Sequence, residues 1–345
     1  MVLSPRRRRW LLLGATLLAS LLVAEIVARI VIARWDAMPP PRPNDGADVL
    51  LVQMLRKSPT PDVIYELLPD LDCRFQRVHV RTNALGWRGS QHAATKSAGA
   101  WRLLALGDSV LFGWGVEWPD TGVAHLEERL RALLPGREVE VIGTGVPGYN
   151  TAMEAALLRA RGVSLAPDVV LLDFVGNDLE LPNFLLAPAD PWRLDHCYLV
   201  DVARRAWRSS WLDPRTPFVW APGDGAGRFE SDPARVPAQY RHLVGPEAFA
   251  RAVAAIVDLG RAHGFHVLVS SVYELPAAQA AVCRDLELPM LDLHARIDEW
   301  LRGGGDVAAL QLSAQDPHPT PLVHGWWADA VAAKLRELRW LPTSR

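Results

Sequence analysis

The chain has few cysteines, few lysines and almost no net charge. Its 345 residues include three cysteines, Cys73, Cys197 and Cys283, without a CxxC spacing. That excludes zinc ribbons, thiol-redox motifs and a disulfide-stapled scaffold, and leaves room for at most one bridge of unreadable pairing. Lysine occurs only at positions 57, 96 and 334, so the 37 basic residues are nearly all arginine, against 39 acidic ones. A net charge of −2 offers no basic face to a nucleic acid. No internal repeat is visible, and no low-complexity tract beyond one proline-rich stretch. What the chain has is apolar bulk: half its residues are hydrophobic and 22% are charged. This excludes wholesale disorder, and also a polytopic membrane protein.

One apolar run stands apart. Arg6 to Arg9 precede Trp10–Ile32, which is apolar except for Ser20, Glu25 and Arg29; at about 1.5 Å per residue such a helix spans the roughly 30 Å hydrocarbon layer. The arginines place the N-terminus (residues 1–9) in the cytoplasm and make residues 10–32 a single-pass signal-anchor, with the rest on the periplasmic or extracellular side. Secretion after cleavage is the rival reading; no convincing small-x-small site follows the first apolar stretch, and the hydrophobicity resumes after Glu25, which favours the anchor. Glu25 and Arg29, spaced i, i+4, can pair and so lower the cost of each in lipid, a pair at the interface rather than a proton path. Prolines in Met38–Asp48 then keep a tether extended. Residues 33–100 read as linker and lead-in, with a short helix near 49–56, a strand near 74–80, and the segment Asn83-Ala84-Leu85-Gly86-Trp87-Arg88.

From residue 101 strands and helices alternate. Strands are expected at 102–106, 138–142, 168–174, 266–271 and 290–293, and helices at 120–134, 151–161, 246–263, 277–286 and 323–338. This pattern predicts an α/β domain over 101–345 with three α/β/α layers and a central parallel sheet, where ligands sit at the carboxyl ends of strands. An insertion at about 180–245 breaks the rhythm. Its tryptophans, Trp192, Trp207, Trp211 and Trp220, fit an acyl or sugar subsite, a membrane-interface contact, or a small satellite core.

The strand-end loops hold the chemistry: Gly107-Asp108-Ser109 after the first strand, Gly143-Thr144-Gly145-Val146-Pro147-Gly148 after the second, Gly176-Asn177-Asp178 after the third, and Asp316-Pro317-His318-Pro319 before the last helix. A serine hydroxyl needs a neighbouring base, usually an imidazole held by a carboxylate. His318 is the candidate base and Asp316 its partner. Residues i and i+2 of an extended chain point to one side, and each precedes a proline, which disfavours the α conformation.

These four blocks, in this order and on these strand ends, resemble the SGNH (GDSL) hydrolase family, including its membrane-anchored bacterial members. The resemblance covers about residues 101–340. It implies a flavodoxin-like fold, Ser109 as nucleophile with His318 and Asp316, and an oxyanion hole from the backbone N–H groups of Ser109 and Gly145 and the Asn177 amide. No cofactor or metal is implied. The family more commonly places two residues between acid and histidine; here Pro317 alone intervenes. The activity implied is hydrolysis of an acetyl or short-chain acyl ester of an envelope carbohydrate or lipid. An O-acyltransferase using the same residues on an envelope polysaccharide is the alternative, and a non-catalytic carbohydrate-binding scaffold a further one.

Several residues compete for attention. Asp108 and Asp178 read as carboxyls capping backbone N–H groups at strand-to-helix turns. Asp292-x-His294 repeats the Asp-x-His spacing, but at a strand end entering a helix, where capping explains it. His324 reads as a face residue of the last helix near the site, and a metal cluster of Asp316, His318 and His324 lacks supporting spacing. Gly143-x-Gly145-x-x-Gly148 followed by Asp173 matches a dinucleotide fingerprint, though in the second βα unit and with a long gap to the acid.

Overall fold

The computed structural model describes residues 4–33, 48–49, 51–182, 194, 197–200 and 230–342. Most of the tether and all four tryptophans of the insertion lie outside them. The chain divides into two units, Met1–Pro39 with Pro182–Glu230, and Pro40–Leu181 with Ser231–Arg345.

In the first unit, α1 (Pro5–Ala33) is a single helix, long and apolar enough over Pro5–Ile30 to cross a membrane by length and composition. Glu25 and Arg29 form the expected ion pair, at 2.8 Å. The acid also accepts the backbone N–H groups of Tyr198 (3.1 Å) and Leu199 (2.7 Å), and the Arg29 guanidinium lies 5.2 Å from the Tyr198 ring centroid.

The second unit is built on five parallel strands: β5 (Trp101–Leu106), β6 (Val139–Gly143), β7 (Val169–Asp173), β8 (His266–Ser271) and β9 (Met290–Asp292), in the order β6-β5-β7-β8-β9. This is the flavodoxin-like order, with its reversal between β5 and β7. Every residue of β5 and β7 is buried, as strands covered on both faces must be. Leu103, Val141, Val169 and Leu171 pack with Val123, Leu126 and Leu130 of α4 (Gly122–Leu133) and Val331 and Leu335 of α9 (Pro321–Glu337). On the other face Leu104 and Leu158 both lie against Gly162, just past α5 (Thr151–Leu157), which packs on α6 (Pro246–His263). The remaining elements include α3 (Ser109–Phe112), α7 (Ala277–Asp285) and α8 (His294–Arg302). The expected helix 151–161 holds α geometry only to Leu157, then widens into a π turn at Leu158–Gly162.

The lead-in differs from expectation. Its helix is one turn, α2 (Leu51–Met54), followed by β1 (Leu55–Lys57), which pairs with β2 (Tyr65–Leu67). The single strand near 74–80 is a hairpin, β3 (Asp72–Phe75) and β4 (Val78–Arg81). Its turn residues, Gln76 and Arg77, both have positive φ (51° and 68°), a geometry usually signalled by Asn or Gly; neither stands here, so the turn left no mark in the sequence. All three cysteines are free thiols.

Asp173, at the end of β7, is buried and accepts hydrogen bonds from Ser270 Oγ (2.6 Å) and Trp327 Nε1 (2.8 Å). Burial pushes its carboxyl up to about 7, against those two hydrogen bonds. The folded chain therefore holds this proton through a range where the unfolded chain has released it, and stability falls as pH rises from the ordinary carboxylate range to about 7. Asp173→Asn keeps both acceptor contacts without the charge. It is expected to raise the thermal midpoint at about pH 8 by some 4 °C or more and to give no gain at about pH 4, read by tryptophan fluorescence of the full chain in detergent.

Candidate active site

The loop after β5 turns at once into α3, a single helical turn. A Cβ on Gly107 would sit 2.7 Å from Leu111 Cβ, so the tight return of this helix onto the strand requires glycine. Asp108 is the N-cap: its Oδ1 accepts the Val110 N–H at 2.8 Å, as expected. Its other oxygen accepts from Asn177 Nδ2 at 3.0 Å and lies 3.2 Å from Ser109 Oγ. A residue read as a local cap thus also joins the serine loop to the asparagine loop. The Asp178 carboxyl accepts the Thr151 hydroxyl at 3.2 Å, at the first residue of α5. Burial pushes the Asp178 and Glu154 carboxyls well above their usual range.

Asp316 and His318 lie on β11 (Asp316–Pro319), which pairs with β10 (Gln311–Ser313). The extended backbone brings the two side chains together as anticipated. Asp316 Oδ1 accepts from His318 Nδ1 at 2.6 Å, and His318 Nε2 meets Ser109 Oγ at 2.8 Å. Burial opposes ionisation of Asp316, but hydrogen bonds from the His318 ring and backbone and from Trp114 outweigh it and hold the carboxyl below its usual value. An ionised acid on Nδ1 fixes the proton there and leaves the Nε2 lone pair facing the serine hydroxyl.

Gly145 lies against α3: a Cβ there would stand 2.5 Å from Phe112 N and 2.9 Å from the Asp108 carbonyl oxygen. The missing side chain admits a neighbouring backbone, a steric demand beyond the substrate access argued from sequence. The five residues singled out there, Ser109, Gly145, Asn177, Asp316 and His318, are therefore gathered around one strand-to-helix turn.

Four residues escaped sequence reasoning. Trp114 stacks on the His318 ring (centroids 5.0 Å apart, planes at 12°), and its Nε1 donates to Asp316 Oδ2 at 3.2 Å. Arg88 is buried and donates to the carbonyl oxygens of Phe112, Gly113, Val116 and His79 at 2.7–3.1 Å. Burial lowers its guanidinium to about 10, still charged at neutral pH. Tyr65 Oη donates to the Pro147 carbonyl at 2.9 Å, holding the glycine loop, and Tyr273 Oη donates to the Pro317 carbonyl at 2.7 Å. The only sequence signal was the NALGWRG segment containing Arg88.

The competing readings separate here. His324 is buried on the inner face of α9, and its Nδ1 accepts the Gly122 N–H at 3.1 Å; burial first, with the positive charge nearby, lowers its ring to about 3. Asp292 accepts the His294 N–H at 3.1 Å, a local cap. Asp173, held by Ser270 and Trp327, is turned to the core, so the glycine loop lacks the exposed acid of a dinucleotide site.

The GDSL-like Lipase/Acylhydrolase family profile matches residues 105–326. Among solved structures, the chain is similar to a lipase/acylhydrolase from Enterococcus faecalis (14% identity, covering 69% of this chain and 96% of that one, TM-score 0.41). It is also similar to an acetylxylan esterase from Geobacillus stearothermophilus (15%, 71% and 98%, 0.41) and to a two-domain esterase active on acetylated mannans (15%, 70% and 50%, 0.45). No curated protein matches the chain. With the profile spanning well over half its length, the chain belongs to the GDSL-like Lipase/Acylhydrolase family and is a serine ester hydrolase.

Proposed function

We propose that the chain hydrolyses an acetyl or short-chain acyl ester of an envelope carbohydrate or lipid through an acyl-enzyme on Ser109. The observation that carries this reading is the continuous hydrogen-bonded line from Asp316 through His318 to Ser109, at 2.6 and 2.8 Å. In this mechanism His318 Nε2 takes the hydroxyl proton as Ser109 Oγ bonds to the ester carbon. The tetrahedral intermediate then collapses, the bond to the alcohol oxygen breaks, and the alcohol leaves with the proton from His318. Water repeats the sequence on the acyl-enzyme, releasing the acid and restoring Ser109.

The charge growing on the carbonyl oxygen would be met by the Ser109 and Gly145 N–H groups and by the Asn177 amide, each donor worth about 3 kcal/mol. Asn177 has two N–H bonds, and spending one on Asp108 orients the other. The envelope assignment rests on α1, read as a signal-anchor whose N-terminal arginines stay in the cytoplasm and whose hydrolase unit stands on the periplasmic or extracellular side.

Fluorophosphonate should label the wild-type chain at Ser109, and p-nitrophenyl acetate should be hydrolysed. Ser109→Ala and His318→Ala should abolish both, and a Ser109→Ala chain that still labels would sink the reading. Asp316→Asn should lower kcat by about 10⁴-fold with little change in KM, because the amide favours the wrong imidazole tautomer. Asn177→Ala should cost about 10²-fold in kcat. Acids released from isolated envelope material by the wild-type chain, and not by Ser109→Ala, would identify the acyl group.

A further inference from the structure

We propose that Trp114 is a positioning residue for the His318–Asp316 pair, held in place by the lead-in hairpin through Phe75. This rests on the reading of His318 as the general base.

The acid and base stand outside the central sheet. β10 and β11 form a two-stranded sheet of three- and four-residue strands, separate from the central sheet, and the Tyr273 hydroxyl on the Pro317 carbonyl holds its backbone rather than the two side chains. The side chains are not fixed by burial either, since His318 and Asp316 retain 22% and 31% of their exposure. Something else must set the plane of the imidazole and the rotation of the carboxyl.

Trp114 contacts both. Its ring lies nearly parallel to the imidazole, at 5.0 Å and 12°, and so resists rotation about the bond that aims Nε2 at Ser109. Its N–H takes Asp316 Oδ2 at 3.2 Å, while Oδ1 takes His318 Nδ1; with both oxygens engaged the carboxyl cannot turn. When His318 gains the serine proton, the cation forms against an aromatic face, which favours it.

The indole is itself supported. It stands between Gly113 and Gly115, whose φ values of +78° and +68° only glycine adopts without strain. Arg88 binds the carbonyl oxygens of Phe112, Gly113 and Val116 on either side. The Phe75 ring meets Trp114 edge-on, at 4.8 Å and 85°. Phe75 and Arg88 both precede the region matched by the family profile, so the support comes from the lead-in rather than from that matched region.

The test uses the full chain in detergent, with kcat and KM for p-nitrophenyl acetate, the rate of fluorophosphonate labelling, and the low-field proton resonance of His318 Nδ1–H. Trp114→Leu is expected to lower kcat and the labelling rate together by about 10- to 100-fold, to leave KM within about twofold, and to broaden or remove the low-field resonance. Trp114→Phe, which restores a stacked ring without the N–H, should recover part of the loss, and Phe75→Leu should show a smaller loss of the same kind. A Trp114→Leu chain with kcat within about twofold of wild type, a loss confined to KM, or an unchanged resonance would overturn the proposal. If Trp114→Leu does not fold, Trp114→Phe and Phe75→Leu decide by the same measures. A wild type that hydrolyses ester without labelling at Ser109 would instead overturn the underlying reading of the site.

Discussion

The arrangement depends first on the Asp108 carboxyl, which is 1% exposed, accepts hydrogen bonds from the Val110 N–H and the Asn177 amide, and lies 3.2 Å from Ser109 Oγ. A buried carboxyl without donors is costly, so such a group fixes whatever surrounds it. Here the donors come from the first turn of α3 and from the loop after β7. Those two loops flank the point where the strand order reverses, between β5 and β7, which is where a crevice opens in a doubly wound sheet. One side chain therefore converts a topological feature into a fixed distance between Ser109 and Asn177. The glycine loop after β6 closes the third side because Gly145 has no Cβ to collide with α3.

The lead-in completes what the sheet begins. Strand ends position the serine, glycine and asparagine blocks, but loops after strands keep their own freedom. Tyr65 ties down the glycine loop through Pro147, and Tyr149 Oη returns a bond to the Tyr65 carbonyl. Arg88 gathers the carbonyl oxygens that follow α3. Its guanidinium is planar with several donors in fixed directions, which suits a loop whose carbonyl groups converge; a lysine would supply a point charge and leave part of the loop unheld. Residues 51–100 thus belong to the architecture of the site as much as to its connection with α1.

Most of the central sheet was legible in the sequence, because buried parallel strands and amphipathic helices differ in period. β5, β6, β7, β8 and β9 fall within a residue or two of expectation. The five candidate residues that the fold gathers were legible too, since their loops carry a glycine or a proline close by that marks unusual backbone. The hairpin at 72–81 was not, because Gln76 and Arg77 adopt left-handed geometry without the residue types that announce it. Trp114, Tyr65 and Tyr273 were hidden for a different reason. A large aromatic residue reads as ordinary packing, and its partner lies far away in sequence, 204 positions for Trp114 and His318. His324 was legible as a residue near the site but not as a buried acceptor, because helical spacing does not reveal that the start of α4 aims the Gly122 N–H at it.

The same logic of filled hydrogen-bonding capacity bears on the charged pair in α1. A carboxyl offers about four acceptor positions. Glu25 uses Oε1 for Arg29 Nε and the Tyr198 N–H, and Oε2 for the Leu199 N–H and the Cys197 thiol. The arginine is equally engaged, by the acid and by the face of Tyr198, which is itself buried. The pair therefore acts as a fastening point for residues 197–200 of the insertion, and the i, i+4 spacing that lets the two charges neutralise one another also presents both to the same short stretch of chain.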